Sequence, residues 1–419
     1  MDSHEKNIVD ICRSAKAASQ HMLSASTVVK NTTLETIANL LEKKRGYIQR
    51  ENSTDIENGR RNGLSEPMLD RLTLTDEVID GMVAGLRDVI ALNDPVGAIG
   101  SLARRPNGIM VGRMSVPLGV IAMIYESRPN VTVDAAALCL KAGNSVILRG
   151  GSEAINSNIA LAGIIQESLR ICGMDENGVQ VVADTNRETV AQLLKQDEYV
   201  DLIIPRGGEG LIRFVSKNST IPVLKHYKGV CHIYVDKEAD LDKATPIVLN
   251  SKVQRPGVCN ALEGLLVHAD IAAAYVPVIT AALQAQGVRI LGCERACSLS
   301  ENIEKAEESD WGTEFLSLAM IIKVVSDYDE AREYIRKYGS HHTECILTEN
   351  YSLANTFIRQ IDASAVMVNA SSRFNDGTQL GLGTEIGIST TKLHAYGPMG
   401  LEELTTRKFV VFGEGQVRD

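Results

Sequence analysis

Pro117-Leu118-Gly119-Val120-Ile121-Ala122-Met123-Ile124-Tyr125 is where the texture of the chain changes. From Gly119 to Tyr125 there is no charge and no polar alternation, which predicts a strand buried on both faces. The theme then repeats. Helices are predicted over Val131–Ala142, Asn156–Cys172, Arg187–Lys195 and Glu209–Ser216, and strands over Ser145–Leu148, Val179–Val182 and Leu202–Pro205. Such alternation predicts a parallel sheet with helices on both faces. Ligands of such sheets collect outside the carboxyl ends of the strands. Two of these ends carry suitable groups: Arg149-Gly150-Gly151-Ser152-Glu153 and Pro205-Arg206-Gly207-Gly208-Glu209. Each offers a guanidinium, glycines that admit close backbone approach, and a helix amino terminus behind them. That is a phosphate or ribose site, and two on one sheet point to a dinucleotide. Gly381 to Gly387 is one residue too long for a G-x-G-x-x-G run, and there is no Walker loop.

Upstream, residues 1–92 read as helices. Thr32 and Glu35 are expected to form a capping box ahead of Leu34, Ile37, Leu40 and Leu41. Val78, Ile79, Met82, Val83, Leu86 and Ile90 make a second amphipathic stripe. Residues 98–116, with the turn Pro106-Asn107-Gly108, predict a projecting β-hairpin. Downstream, Val230 to Asp236 ends in a strand pattern, a domain boundary is expected near residue 232, and α/β composition continues to about residue 370.

The 419 residues are long for one core and predict at least two domains. A net charge of −10 argues against non-specific nucleic-acid binding. Met1 to Asp10 lacks the apolar run of a signal peptide, and Gly264–Leu283 is broken by His268, Asp270 and Pro277, so no membrane span is expected. Eight scattered cysteines without framework or metal-site spacing predict reduced thiols and a cytoplasmic protein without a metal.

One cysteine stands apart. In Gln254-Arg255-Pro256-Gly257-Val258-Cys259-Asn260-Ala261 the Pro-Gly pair stiffens and then bends the backbone just before Cys259. The apolar run Ala261 to Val267 behind it predicts a buried strand or helix. A thiol held between a tight turn and a rigid element suits a nucleophile. A nearby charge such as Arg255 would raise its thiolate fraction. The alternative is an inert core cysteine.

In this order the pieces resemble the aldehyde dehydrogenase superfamily, and within it the gamma-glutamyl phosphate reductase family. The superfamily's segments are matched by Pro117–Val120, Lys141–Asn144, Arg149–Glu153, Gly207–Gly208, Glu314–Phe315 and Gln254–Ala261. The narrower family is matched by Tyr125–Asn130, Tyr338–Glu344 and His394–Thr405. The resemblance implies an α/β fold with two Rossmann-like parallel-sheet domains plus an oligomerisation hairpin. It implies an NADP-binding domain from 1–97 and 117–232, a catalytic domain over 233–400, and oligomerisation elements at 98–116 and 401–419.

It also implies chemistry. Cys259 would attack glutamyl 5-phosphate, phosphate would leave, and NADPH would reduce the thioester to glutamate 5-semialdehyde, a step of proline biosynthesis. Cofactor contacts would come from Arg149, Ser152, Glu153, Pro205, Arg206, Gly207, Gly208, Glu314 and Phe315. Arg128, Arg255 and Arg373 are the candidates for phosphate and carboxylate, since forked guanidinium donors suit both. Where oxidising relatives carry a water-activating glutamate, this chain has His226-Tyr227-Lys228-Gly229. Its loss fits an acyl group that leaves as an aldehyde. His226 is a candidate proton shuttle. Where those relatives have a Trp-Asn pair stand Glu126-Ser127, so Ser127 or Asn130 is expected to join the Cys259 N–H as oxyanion donor. His341 and His342 are expected to be structural or to line the substrate pocket. A homo-oligomer is expected, with the upstream glutamate 5-kinase as a further candidate partner. The rivals are a reductase of another acyl phosphate or an acyl-CoA, a cysteine hydrolase, and a non-catalytic scaffold.

Overall fold

The computed structural model describes residues 7–418, so Met1–Lys6 and Asp419, which fall within the expected NADP-binding and oligomerisation segments, lie outside the described residues. The chain divides into two compact units. One comprises Met1–Lys225, Gly381–Gly387 and Met399–Asp419, the other His226–Leu380 and Ile388–Pro398. The division at Lys225/His226 corrects the boundary expected near residue 232, which falls inside the strand Cys231–Val235. Strand-like alternation marks where a strand lies, not where chain contacts change hands.

In the first unit the helices Ile8–Ser24, Thr27–Lys43, Arg45–Arg61, Glu66–Leu72 and Asp76–Ala91 precede the sheets. The helix Thr27–Lys43 is capped by Ser26, whose side chain accepts from Val29 N, so Thr32 is helix interior and the expected capping box does not form. The helix starts at Thr27, ahead of the point the local signal suggested. The predicted α/β repeat is present as four parallel strands in the order Val179–Val181, Ser145–Arg149, Val120–Tyr125, Leu202–Arg206. Val120–Tyr125 is buried along its whole length, as its unbroken apolar run requires. A separate antiparallel sheet joins Ile99–Arg104 to Met110–Pro117 and Met110–Pro117 to Thr405–Phe412.

The second unit is built on seven parallel strands in the order Glu304–Lys305, Arg289–Gly292, Ala319–Val325, Leu262–His268, Cys231–Val235, Thr343–Leu347, Ala365–Val368. Leu262–His268 is buried at every position. Met320, Ile322 and Val324 join one face of its core, with Met367 packed against it. Among the described residues no helix is long and apolar enough to cross a membrane.

Candidate active site

The first unit gathers its candidates at the carboxyl ends of its strands. Ile124 pairs with Arg149 and Tyr125 with Arg206, so these three adjacent strands finish level. The chain's own carboxylates fill both glycine turns. Glu126 Oε2 accepts from Gly208 N at 3.0 Å, at the start of the helix Glu209–Asn218. Ser127 donates to Glu153 Oε1 twice, from its backbone N at 2.7 Å and its Oγ at 2.6 Å. A Cβ on Gly207 would overlap the Glu126 carboxylate, and one on Gly151 would overlap Glu153. A side chain at either glycine would displace the carboxylate that now fills the turn.

Ser127 is held at φ 35°, a conformation that disfavours residues with a Cβ. Its hydroxyl proton is already given to a carboxylate. The other expected donor, Asn130, opens the helix Asn130–Lys141 and gives one amide N–H to Asp134 Oδ2 at 3.1 Å. An amide nitrogen carries two protons, so a second donor remains. Burial pushes Asp134 up to about 6, against the Asn130 hydrogen bond and the charge of Arg206. Arg149 is 9% exposed; its guanidinium donates to the carbonyls of Gly150 at 2.6 Å and Thr185 at 2.8 Å, and burial lowers its pKa. It braces the strand end instead of reaching into solvent. Pro205 is buried within its strand, Arg206 is half-buried, and Arg128, Ser152, Gly207 and Gly208 are exposed.

In the second unit the candidates sit at the opposite, amino ends of the strands. His226–Val230 lead into Cys231–Val235, the Cys259 turn into Leu262–His268, and His341–His342 into Thr343–Leu347. Cys231 pairs with Leu262, which sets the first two of these segments side by side. Cys259 is half-buried, in a turn closed by Ala261 N donating to Val258 O at 3.1 Å. A Cβ on Gly229 would overlap the carbonyl of Cys259, so only glycine fits beside the candidate nucleophile. Cys231 Sγ donates to that carbonyl at 3.1 Å, and burial raises the Cys231 pKa well above its usual value, leaving it an inert thiol.

Asn260 is nearly buried and anchors the other side of the turn. Its amide donates to Asn375 O at 2.9 Å, Ser372 Oγ donates to its carbonyl at 2.6 Å, and Arg373 Nη1 donates to its Oδ1. Arg373 also donates from Nε to Gln254 Oε1 at 2.7 Å. Its pKa is lowered by burial, sustained by Asp376 and Cys259 and lowered further by Arg255, so the two guanidinium groups and the thiol share one electrostatic neighbourhood.

His226 Nδ1 faces the carbonyl of Ile388 at 2.9 Å. A carbonyl only accepts, so Nδ1 carries the proton and Nε2 of the neutral ring is the acceptor. Edge-on to it at 5.8 Å lies His342, whose pKa is lowered to about 3 by burial and by His226. The histidine pair thus divides: His342 is a neutral core group, and His341 is an exposed one at φ 60°. Glu314 Oε1 accepts from Gly229 N at 2.8 Å, and Phe315 follows it half-buried.

Gly229, Cys231, Asn260, Glu126 and Asn375 escape the sequence reading. Only Glu126, Gly229 and Asn260 left a trace there, as neighbours of Ser127, His226 and Cys259.

The chain is similar to known proteins in sequence and in fold. The model of the aldehyde dehydrogenase family matches residues 1–290. The gamma-glutamyl phosphate reductase of Desulfotalea psychrophila is 60% identical over 414 residues, covering 99% of each chain. That of Desulfatibacillum aliphaticivorans is 56% identical over 411 residues, covering 98% of each. The crystal structure of gamma-glutamyl phosphate reductase from Thermotoga maritima superimposes with a TM-score of 0.97 at 47% identity, over 99% of this chain and 100% of that one. The chain belongs to the aldehyde dehydrogenase family of oxidoreductases, in its gamma-glutamyl phosphate reductase branch.

Proposed function

We propose that the protein reduces L-glutamate 5-phosphate to L-glutamate 5-semialdehyde with NADPH, releasing phosphate, as the second step of proline biosynthesis from glutamate. The observation that carries this reading is the Cys259 turn: a half-buried thiol whose backbone is fixed by Gly229 and Asn260, with His226 in place of a water-activating carboxylate. The name shared by the most similar relatives supports the substrate.

The strand ends of the first unit suit a dinucleotide. Arg149 Nε is buried with no partner among the described residues, an unfilled donor at the end of the strand Ser145–Arg149. Within this unit Arg149, Ser152, Glu153, Pro205, Arg206, Gly207 and Gly208 would hold the cofactor. Glu126 and Glu153 are acceptors of the kind that ribose hydroxyls require. When bound, NADPH supplies the hydride that reduces the thioester.

Cys259 attacks the acyl carbon as thiolate, and the C–O bond to phosphate breaks. Of the two side chains weighed as partners of the Cys259 N–H in the oxyanion role, Asn130 keeps a spare amide proton, whereas the Ser127 proton is committed to Glu153. His226 takes the proton at Nε2 when the thiohemiacetal collapses and returns it to the thiolate. Arg255 and Arg373 bind the phosphate or carboxylate within the second unit. The antiparallel sheet exposes Phe409, Val411 and Phe412 together with Ile99 and Leu102, and these apolar groups serve homo-oligomerisation.

The test is the reverse reaction. Wild type is expected to oxidise glutamate semialdehyde with NADP only when phosphate is added, and Cys259→Ala to show no turnover above background while melting at the same temperature. Retained turnover removes Cys259 from the chemistry.

A further inference from the structure

Lys252 and Glu263 form an ion pair at 2.8 Å with both side chains sealed from water, and the proposed chemistry uses neither. Lys252 lies in the last turn of the helix Leu241–Val253, and Glu263 is the second residue of the strand Leu262–His268. The pair therefore closes the base of the loop that carries Cys259. The second oxygen of Glu263, Oε1, accepts from the backbone N–H of Leu316 at 3.3 Å. Leu316 is held at φ 51°, which a leucine adopts only where its surroundings impose it.

The same turn is gripped from its other side. Glu314 accepts from Gly229 N at 2.8 Å, and Lys228 Nζ donates to Gly312 O at 2.8 Å. Gly229 in turn lies against the Cys259 backbone. Thus the turn from Gly312 to Leu316 is tied to the nucleophile loop twice, once through Gly229 and once through the buried pair.

We propose that Lys252 and Glu263 are positioning residues that hold the Glu314-Phe315-Leu316 turn in register with the Cys259 loop, and so set the affinity for the reduced cofactor. The inference rests on the reading of the protein as an NADPH-dependent reductase. A buried pair is not by itself a source of stability, since apolar replacements often serve as well. What an apolar replacement loses here is the acceptor for Leu316.

Two double variants separate these roles. Lys252→Met with Glu263→Gln removes both charges and keeps an oxygen facing Leu316. Lys252→Met with Glu263→Leu removes the charges and the acceptor. Amide hydrogen exchange over residues 312–317, measured without any ligand, is expected to match wild type in the first and to be markedly faster in the second. The NADPH KM is expected to rise about tenfold in the second relative to the first, with kcat within about threefold. Equal exchange in the two variants, or faster exchange with an unchanged KM, overturns the proposal. Should the second variant fail to melt cooperatively, Lys252→Leu with Glu263→Met removes the same acceptor with a more adaptable side chain; an unchanged NADPH KM there is equally fatal. Wild type that does not consume NADPH with glutamyl phosphate would defeat the reductase reading instead, and the exchange comparison would still report on the tie.

Discussion

The two parallel sheets use opposite ends. The four-stranded sheet brings Glu126, Gly150–Gly151 and Gly207–Gly208 to the carboxyl ends of its strands, where ligands of such folds usually bind. The seven-stranded sheet brings His226, Gly229, Cys259 and His342 to the amino ends. The local physics differs accordingly. The first sheet ends in half-exposed turns, whose N–H groups are satisfied by movable carboxylates. The second backs its thiol with groups removed from water, including Cys231, Asn260, Ser372 and Asn375. Carboxylates near the surface can exchange partners for a cofactor that comes and goes. Buried hydrogen bonds cannot be given up cheaply, and they fix an atom that must be in one place.

The sharpest way to break this contrast is Gly229→Ala. Its Cβ has no room beside the Cys259 carbonyl. We expect a stability loss of about 1–3 kcal/mol or more, and turnover reduced at least about a hundredfold because the thiol is displaced. Denaturant melts and NADPH absorbance measure the two losses; near-wild-type values would mean that the turn is softer than described.

The next test compares Asn130→Ala with Ser127→Ala. Loss of an oxyanion donor lowers kcat by about 10²–10³-fold. Asn130→Ala should approach that range. Ser127→Ala, which loses only its bond to Glu153, should stay within about tenfold. The reverse order would hand the donor role to Ser127.

His226→Glu should restore weak water activation. It is expected to give semialdehyde oxidation without added phosphate above the wild-type level, and no increase would count against the account of why a histidine stands there.

The smallest effect concerns pH. His342 is neutral in the fold, with a pKa of about 3, and protonates more readily once unfolded, near about 6.5. Its contribution is therefore complete above about pH 6.5 and declines as pH falls, by at most about 1.4 kcal/mol per unit. His342→Gln should flatten the dependence of unfolding free energy on pH between about 4 and 6.5, and an unchanged slope would assign the acid sensitivity elsewhere.

Much of this architecture is legible in the residues. The strand Val120–Tyr125 and the helix that follows lie within a residue of their predicted bounds, because an unbroken apolar run admits few alternatives. The Cys259 turn is legible for a similar reason, since Pro256 and Gly257 restrict the backbone locally. The Thr32 cap misleads because a hydroxyl followed by a glutamate recurs inside helices, and only the neighbouring Ser26 shows which one starts the chain's turn. For Arg149 the type, but not the direction, is written in the sequence; the carbonyl of Thr185 turns it inward.

By itself the sequence determined which segments are strands, which thiol stands in a rigid turn, and which relatives the chain has. Tertiary structure alone decided that one sheet works from its carboxyl ends and the other from its amino ends. It alone put Glu314 on Gly229 and Glu263 on Leu316. The reason is range: periodicity reports burial over a few neighbouring residues, whereas these bonds join groups 85 and 53 residues apart, which only the packed sheet brings within reach.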